Sequence, residues 1–149
     1  MTTRADIIRE ARGFEGTPFV HQGRLPGVGL DCIGVIVCAA ERAGLDMVDH
    51  TAYSRQPNPR VLLDYIGRNF DEIPAEDAEA GDVVLFYWRS SRRHGPLPQH
   101  AGLLTRRPAS PTGLGLLHAY DDLGRVLEVD FEESWAARVC SAWRYRGAA

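Results

Sequence analysis

Cys32 is the residue in this chain best placed to do covalent chemistry. It stands in Leu30-Asp31-Cys32-Ile33-Gly34, between a glycine-rich loop and an apolar stretch with helical spacing. A thiol in the first turn of a helix feels the positive end of the helix dipole, a field that favours thiolate and lowers the thiol pKa. A cysteine nucleophile also needs a base within hydrogen-bond reach and a third group to orient that base. His100 opens the alternating apolar segment His100-Ala101-Gly102-Leu103-Leu104-Thr105, and His118 lies inside Leu116-Leu117-His118-Ala119-Tyr120. On neighbouring strands, one imidazole can fix the tautomer of the other. The set reads as the nucleophile, base and orienting residue of a cysteine hydrolase.

Each residue also has a plainer reading. Free cysteines are often buried as small apolar side chains, and Cys38 and Cys140 read that way. His50 and His94 fall in loops and read as solvated, while His21 stands nearest Cys32 in sequence as a reserve base. Zinc on Cys32, His100 and His118 is a further reading, but no ligand pair has the short spacing usual for zinc. No metal or cofactor is expected. The arginines Arg89, Arg92, Arg93, Arg106 and Arg107 read as a solvated loop or an anion patch.

These residues need a frame. Residues 3–14 have helical spacing, with Thr3 as cap and Ile7, Ile8, Ala11 and Phe14 on one face. The text from His21 to Gly29 reads as loop. The second helix is expected from Cys32 to Ala43, capped by Asp31 and stopped by Gly44. Its β-branched run Val35-Ile36-Val37 is a weak helix former and must be held by burial. Pro59 suits the first turn of a third helix running to about Phe70. After Pro74 the period changes to that of strands: 83–88, 100–105, 114–120, 125–131 and 139–145. Helices first and a strand meander second give an α+β fold with an antiparallel sheet of about five strands and helices on one side.

The chain has 149 residues, enough for one domain and one core. Its net charge of -3 gives no support for nucleic-acid binding. All 17 basic residues are arginine, so no lysine can serve as base or nucleophile. The three cysteines form neither a disulfide framework nor a CxxC pair. The first 16 residues lack the apolar core of a signal peptide, and no apolar run is long enough to span a bilayer. Synthesis in the cytoplasm without the usual export signal is expected.

Five segments in order resemble the NlpC family of papain-like cell-wall cysteine endopeptidases. They are Gly16-Thr17-Pro18-Phe19 with the glycines that follow, Asp31-Cys32-Ile33-Gly34, Gly81-Asp82-Val83-Val84-Leu85-Phe86, His100-Ala101-Gly102-Leu103 and Leu117-His118-Ala119. Phe14 to Gly29 and the ending Ala142-Trp143-Arg144-Tyr145 look most like short members encoded among tail genes of phages and gene transfer agents. The resemblance implies a papain-like domain over 1–149 with Cys32 as nucleophile, His100 as base and then acid, and His118 as orienting residue. It implies hydrolysis of amide bonds in peptidoglycan stem peptides, no cofactor, and tail hub or baseplate partners. The expected place of action is the periplasm or cell wall of a target cell, as part of a phage-like tail. Asp31, Phe19, His21 and Gln22 are the expected substrate-binding residues, with Trp88 beside them in the cleft. Many members carry tyrosine where this chain has Phe19 and serine where it has Ile33. Of the set that holds a free substrate amine, Asp31 remains, and intact, glycan-attached stem peptides become the expected substrate. The same departures leave open a structural tail-tip protein with little activity. An acyltransferase or amidase acting on another amide is a third reading.

Overall fold

The computed structural model describes residues 1–53, 59–87 and 98–149. Helix α1 (Arg4–Arg12) starts with a capping box: the Thr3 side chain accepts from the Asp6 N–H while the Asp6 carboxylate accepts from the Thr3 N–H. A short hairpin follows, β1 (Arg24–Leu25) against β2 (Gly29–Leu30). Then come α2 (Cys32–Arg42) and α3 (Pro59–Asn69). The rest is mostly strand: β3 (Phe70–Ile73), β4 (Val83–Phe86), β5 (His100–Arg106), β6 (Leu114–His118), β7 (Leu127–Asp130) and β8 (Val139–Tyr145), with the one-turn helix α4 (Glu133–Ala136) before β8.

The sheet has six strands in the order β3-β8-β4-β5-β6-β7, every pair antiparallel. The expected count of about five is corrected by β3. Phe70 ends the helical pattern and starts an edge strand in the same step, paired with Tyr145. The last strand returns to the middle, between β3 and β4, so the sheet is no simple meander. The β1–β2 hairpin lies where only loop was expected. Two-residue strands between glycines leave too short an alternation to read.

Both faces of the sheet are covered. Val83, Leu85, Ala101, Leu103 and Leu117 pack with Ile7, Ala11, Val35, Ile36, Leu62 and Ile66 of the first three helices. Val84, Phe86, Leu104, Leu116 and Ala142 form a second cluster on the other face, covered by Phe131, Trp135 and Val139. The β-branched run of α2 is fully buried, so packing holds a helix that propensity alone would not.

Gly81-Asp82 locks the two halves together. Asp82 is completely buried and accepts from Arg144 Nε (2.8 Å) and an Arg144 terminal nitrogen (2.7 Å), from the Glu79 N–H (2.9 Å) and from Arg4 (3.3 Å). Gly81 has φ of 95°, and a Cβ there would sit 2.4 Å from the Arg4 Cβ. Removing the buried carboxylate leaves Arg4 and Arg144 with the exposed Glu79 as their remaining partner. Asp82→Ala is expected to lose about 1.5–3 kcal/mol of stability, read from urea unfolding. A loss under about 1 kcal/mol would show that Asp82 does not hold α1 to β8.

Candidate active site

The start of α2 is fixed by one carboxylate. Asp31 caps the helix through the Gly34 N–H at 2.8 Å. It also accepts from the Gln22 N–H at 3.0 Å, from Arg24 at 2.9 Å and from the Tyr53 hydroxyl. Arg24 in turn pairs with Asp49 at 2.9 Å and donates to Tyr53 at 2.9 Å. Gln22 takes a positive φ of 61°, which turns its N–H toward Asp31 while its side chain donates to the Tyr53 carbonyl at 2.6 Å. His21 Nε2 donates to the same carbonyl at 3.1 Å. Gly34 lets the hairpin come this close, since a Cβ there would meet the Gly23 carbonyl at 2.2 Å.

Of the expected substrate-binding set, the structure therefore brings Asp31, His21 and Gln22 together around Tyr53. Phe19 is half-buried against the helix-side core, its backbone bridged to Leu30 just before Asp31. Trp88 lies outside the described residues, as do Arg89, Arg92, Arg93 and His94. Tyr53 and Arg24 were missed by sequence reasoning. Their signal was faint, a tyrosine in an unpatterned segment and an arginine among 17 basic residues.

Cys32 is half-buried at the first helical position, where the N–H groups of Ile33 and Ala101 reach its sulfur. Ala101 directly follows His100 on β5, so the helix start and the first residues of β5 meet at the sulfur. His100 Nε2 and His118 Nδ1 share a hydrogen bond of 2.8 Å, and both rings are almost fully buried. The register explains the pairing. Leu103 faces Leu117, which places His118 opposite Gly102, two residues along β5 from His100 on the same face. Aromatic rings surround the pair: Phe86 is 5.7 Å from His100, Tyr120 is 5.4 Å from His100, and Trp135 is 4.8 Å from His118.

Electrostatics correct the expectation of a lowered thiol pKa. Burial, followed by the nearby Asp31 carboxylate, pushes the Cys32 thiol up to about 12. Burial likewise holds His100 well below its ordinary value, with His118 adding to the shift, and brings His118 down to about 4. The helix dipole acts on Cys32, but desolvation of the charge outweighs it. At neutral pH the resting site therefore holds a neutral thiol and two neutral imidazoles. A neutral imidazole is a proton acceptor, which is what a base for Cys32 must be. Among the described residues, no group of three or more His, Cys, Asp or Glu side chains is placed to hold a metal ion.

No family model matches the chain. Over 80 residues it is 29% identical to the bifunctional muramidase/DL-endopeptidase CwlT of Bacillus subtilis, covering 54% of this chain and 21% of that protein. The peptidoglycan hydrolase RipB of Mycobacterium tuberculosis superposes with a TM-score of 0.64 at 19% identity, over 98% of this chain and 65% of that one. A Staphylococcus aureus protein of the NLP/P60 family, similar to lipoprotein, superposes with a TM-score of 0.61 at 24% identity, over 95% of this chain and 41% of that one. The fold is that of the NlpC/P60 domains. The expected papain-like α+β class holds, with the helices of the NlpC/P60 fold on one face of its sheet. The chain spans about a fifth of the curated relative.

Two measurements follow from the buried, neutral site. The folded His118 pKa is lowered, so the unfolded chain takes up a proton first as pH falls. Stability is fully present above about 6.5 and is lost between there and about 4, by roughly 3 kcal/mol from His118 alone. Urea midpoints from pH 7.5 to 4 check this, with His118→Gln expected to flatten the slope. Iodoacetamide alkylation of Cys32, followed by mass spectrometry, is expected to be slow at pH 7 and to rise steadily into the alkaline range. A plateau beginning near pH 6 would mean a preformed thiolate.

Proposed function

We propose that this protein is a cysteine endopeptidase that hydrolyses amide bonds of peptidoglycan stem peptides, with residues 1–149 as one catalytic unit. The observation that carries the reading is the buried 2.8 Å bond between His100 and His118, on the strand whose next residue contacts the Cys32 sulfur. In the reaction, the thiol proton passes to His100 as the sulfur attacks the amide carbon. The Asp31 cap occupies the Gly34 N–H, which leaves the N–H of Cys32 at the helix start to face the developing oxyanion. His100 then gives its proton to the leaving amine, and a thioester remains on Cys32. Water, losing a proton to His100, attacks the thioester carbon. The carboxylic acid departs and the thiol is restored.

Stem peptides still joined to glycan fit this site better than free-amine peptides. Every donor that surrounds Asp31 is its own: two backbone N–H groups, one guanidinium and one phenol. A substrate ammonium would have to displace Arg24 from an ion pair that is largely buried. In biological setting, the protein is proposed to be a tail component of a phage-like particle, in contact with hub or baseplate proteins. It would be made in the cytoplasm and act in the cell wall of the target cell. The likeness of the Phe14 to Gly29 segment and of the C-terminal text to tail-gene members supports that setting.

Digestion of purified sacculi, with mass spectrometry of the released peptides, tests the chemistry. Wild-type protein is expected to release stem-peptide fragments. Cys32→Ala and His100→Ala are expected to fall roughly a thousand-fold or more, and His118→Ala about ten- to a hundred-fold. If wild type releases nothing from sacculi, free or particle-bound, the enzymatic reading fails.

A further inference from the structure

His118 has one nitrogen that the reaction above does not explain. Its Nδ1 bonds His100, yet its Nε2 is fully buried and has no hydrogen-bond partner among the described residues. A buried imidazole N–H with no acceptor is costly, and so is a buried lone pair with no donor. Among the described residues, the ring nearest to His118 is the indole of Trp135, at 4.8 Å between centroids and an interplanar angle of 87°. Tyr120 is farther, at 5.3 Å, and tilted at 47°. An aromatic face carries negative charge density and accepts an N–H edge-on. It offers nothing to a bare imidazole lone pair, which it repels.

We propose that Trp135 is a positioning residue that sets the tautomer of the histidine pair by accepting the His118 Nε2–H on its indole face. The consequence runs through both rings. With its proton on Nε2, His118 presents a lone pair at Nδ1. His100 must then donate its Nε2–H across the 2.8 Å bond. Its remaining nitrogen, Nδ1, carries a lone pair and is the atom that takes the thiol proton. The opposite tautomer puts a proton on His118 Nδ1 and makes His100 Nε2 the acceptor. His100 would then carry its proton on Nδ1, where it blocks transfer from the thiol. An indole on a one-turn helix thus selects the reactive form of a base that it need not touch.

The role assigned to Trp135 rests on the reading of His100 as base, but the first measurement needs no activity. Nitrogen-15 NMR of histidine-labelled Cys32→Ala protein reports which ring nitrogens carry protons. His118 is expected to be protonated at Nε2, with that proton shifted upfield by the indole ring current. His118 protonated at Nδ1, or an Nε2 proton without the upfield shift, would overturn the proposal. In Trp135→Leu, a mixture of His118 tautomers is expected, and in Trp135→Phe the Nε2–H form with a smaller shift. An unchanged tautomer and unchanged proton shift in both variants would equally overturn it. Should the leucine variant not fold, the phenylalanine variant and the wild-type spectrum still decide. In sacculus digestion, Trp135→Leu is expected to lower kcat roughly three- to ten-fold with KM held, and Trp135→Phe to restore most of it. Spectra as expected from a protein that cuts no peptide would sink the proposed function and leave the tautomer assignment standing.

Discussion

The Asp31 carboxylate is the contact on which the site depends. It is buried and carries a negative charge, a combination tolerated only where donors surround the charge. Those donors come from the hairpin segment (Gln22 and Arg24), from the loop before α3 (Tyr53) and from α2 itself (Gly34). The need to satisfy one charge therefore pulls three separate pieces of chain to the first turn of one helix. Cys32 is the next residue, so its position is settled by a network in which it takes no part. This also explains why Gly34 must lack a side chain: the Gly23 carbonyl occupies the space that a Cβ would need.

The same carboxylate works against a preformed thiolate. Burial raises the thiol pKa most, and Asp31 raises it further by repulsion. Arg24 and the backbone N–H groups of Ala101 and Ile33 act in the other direction and are outweighed. The site thus gains a rigid helix start and loses resting nucleophilicity.

Much of this was readable in the chain, for identifiable reasons. Thr3, Asp31 and Pro59 are local signals, and each marks its helix start within one residue. The Cys32, His100 and His118 set was legible because each stands at a break in pattern: a thiol after glycines, and imidazoles at the start and within apolar strands. The dipole argument for Cys32 failed because burial is a tertiary quantity. No local reading could weigh desolvation against the helix field. Tyr53, Arg24 and Trp135 were hidden for the same reason. Tyr53 lies 22 residues from Asp31, and its importance exists only after the loop folds back. Edge strand β3 was hidden by Phe70, which serves both the end of α3 and the start of the strand.

Cys32 and the histidine pair come from opposite halves of the chain, and the sheet separates them. Cys32 packs with the helix-side core, whereas His100 and His118 sit among the aromatic side chains of the far face, beside Phe86 and Trp135. A strand side chain cannot serve both faces from the middle of a sheet, because the pleat assigns it to one. His100 is the first residue of β5, and Ala101, the next, points its N–H at the sulfur. Cys32 and the histidine pair are thus anchored in different cores. Cys38, nearly two helical turns deeper, is held within its own layer, its sulfur donating to the Arg24 carbonyl at 3.4 Å. Position along the helix, and not the presence of a cysteine, is what separates the surroundings of these two thiols.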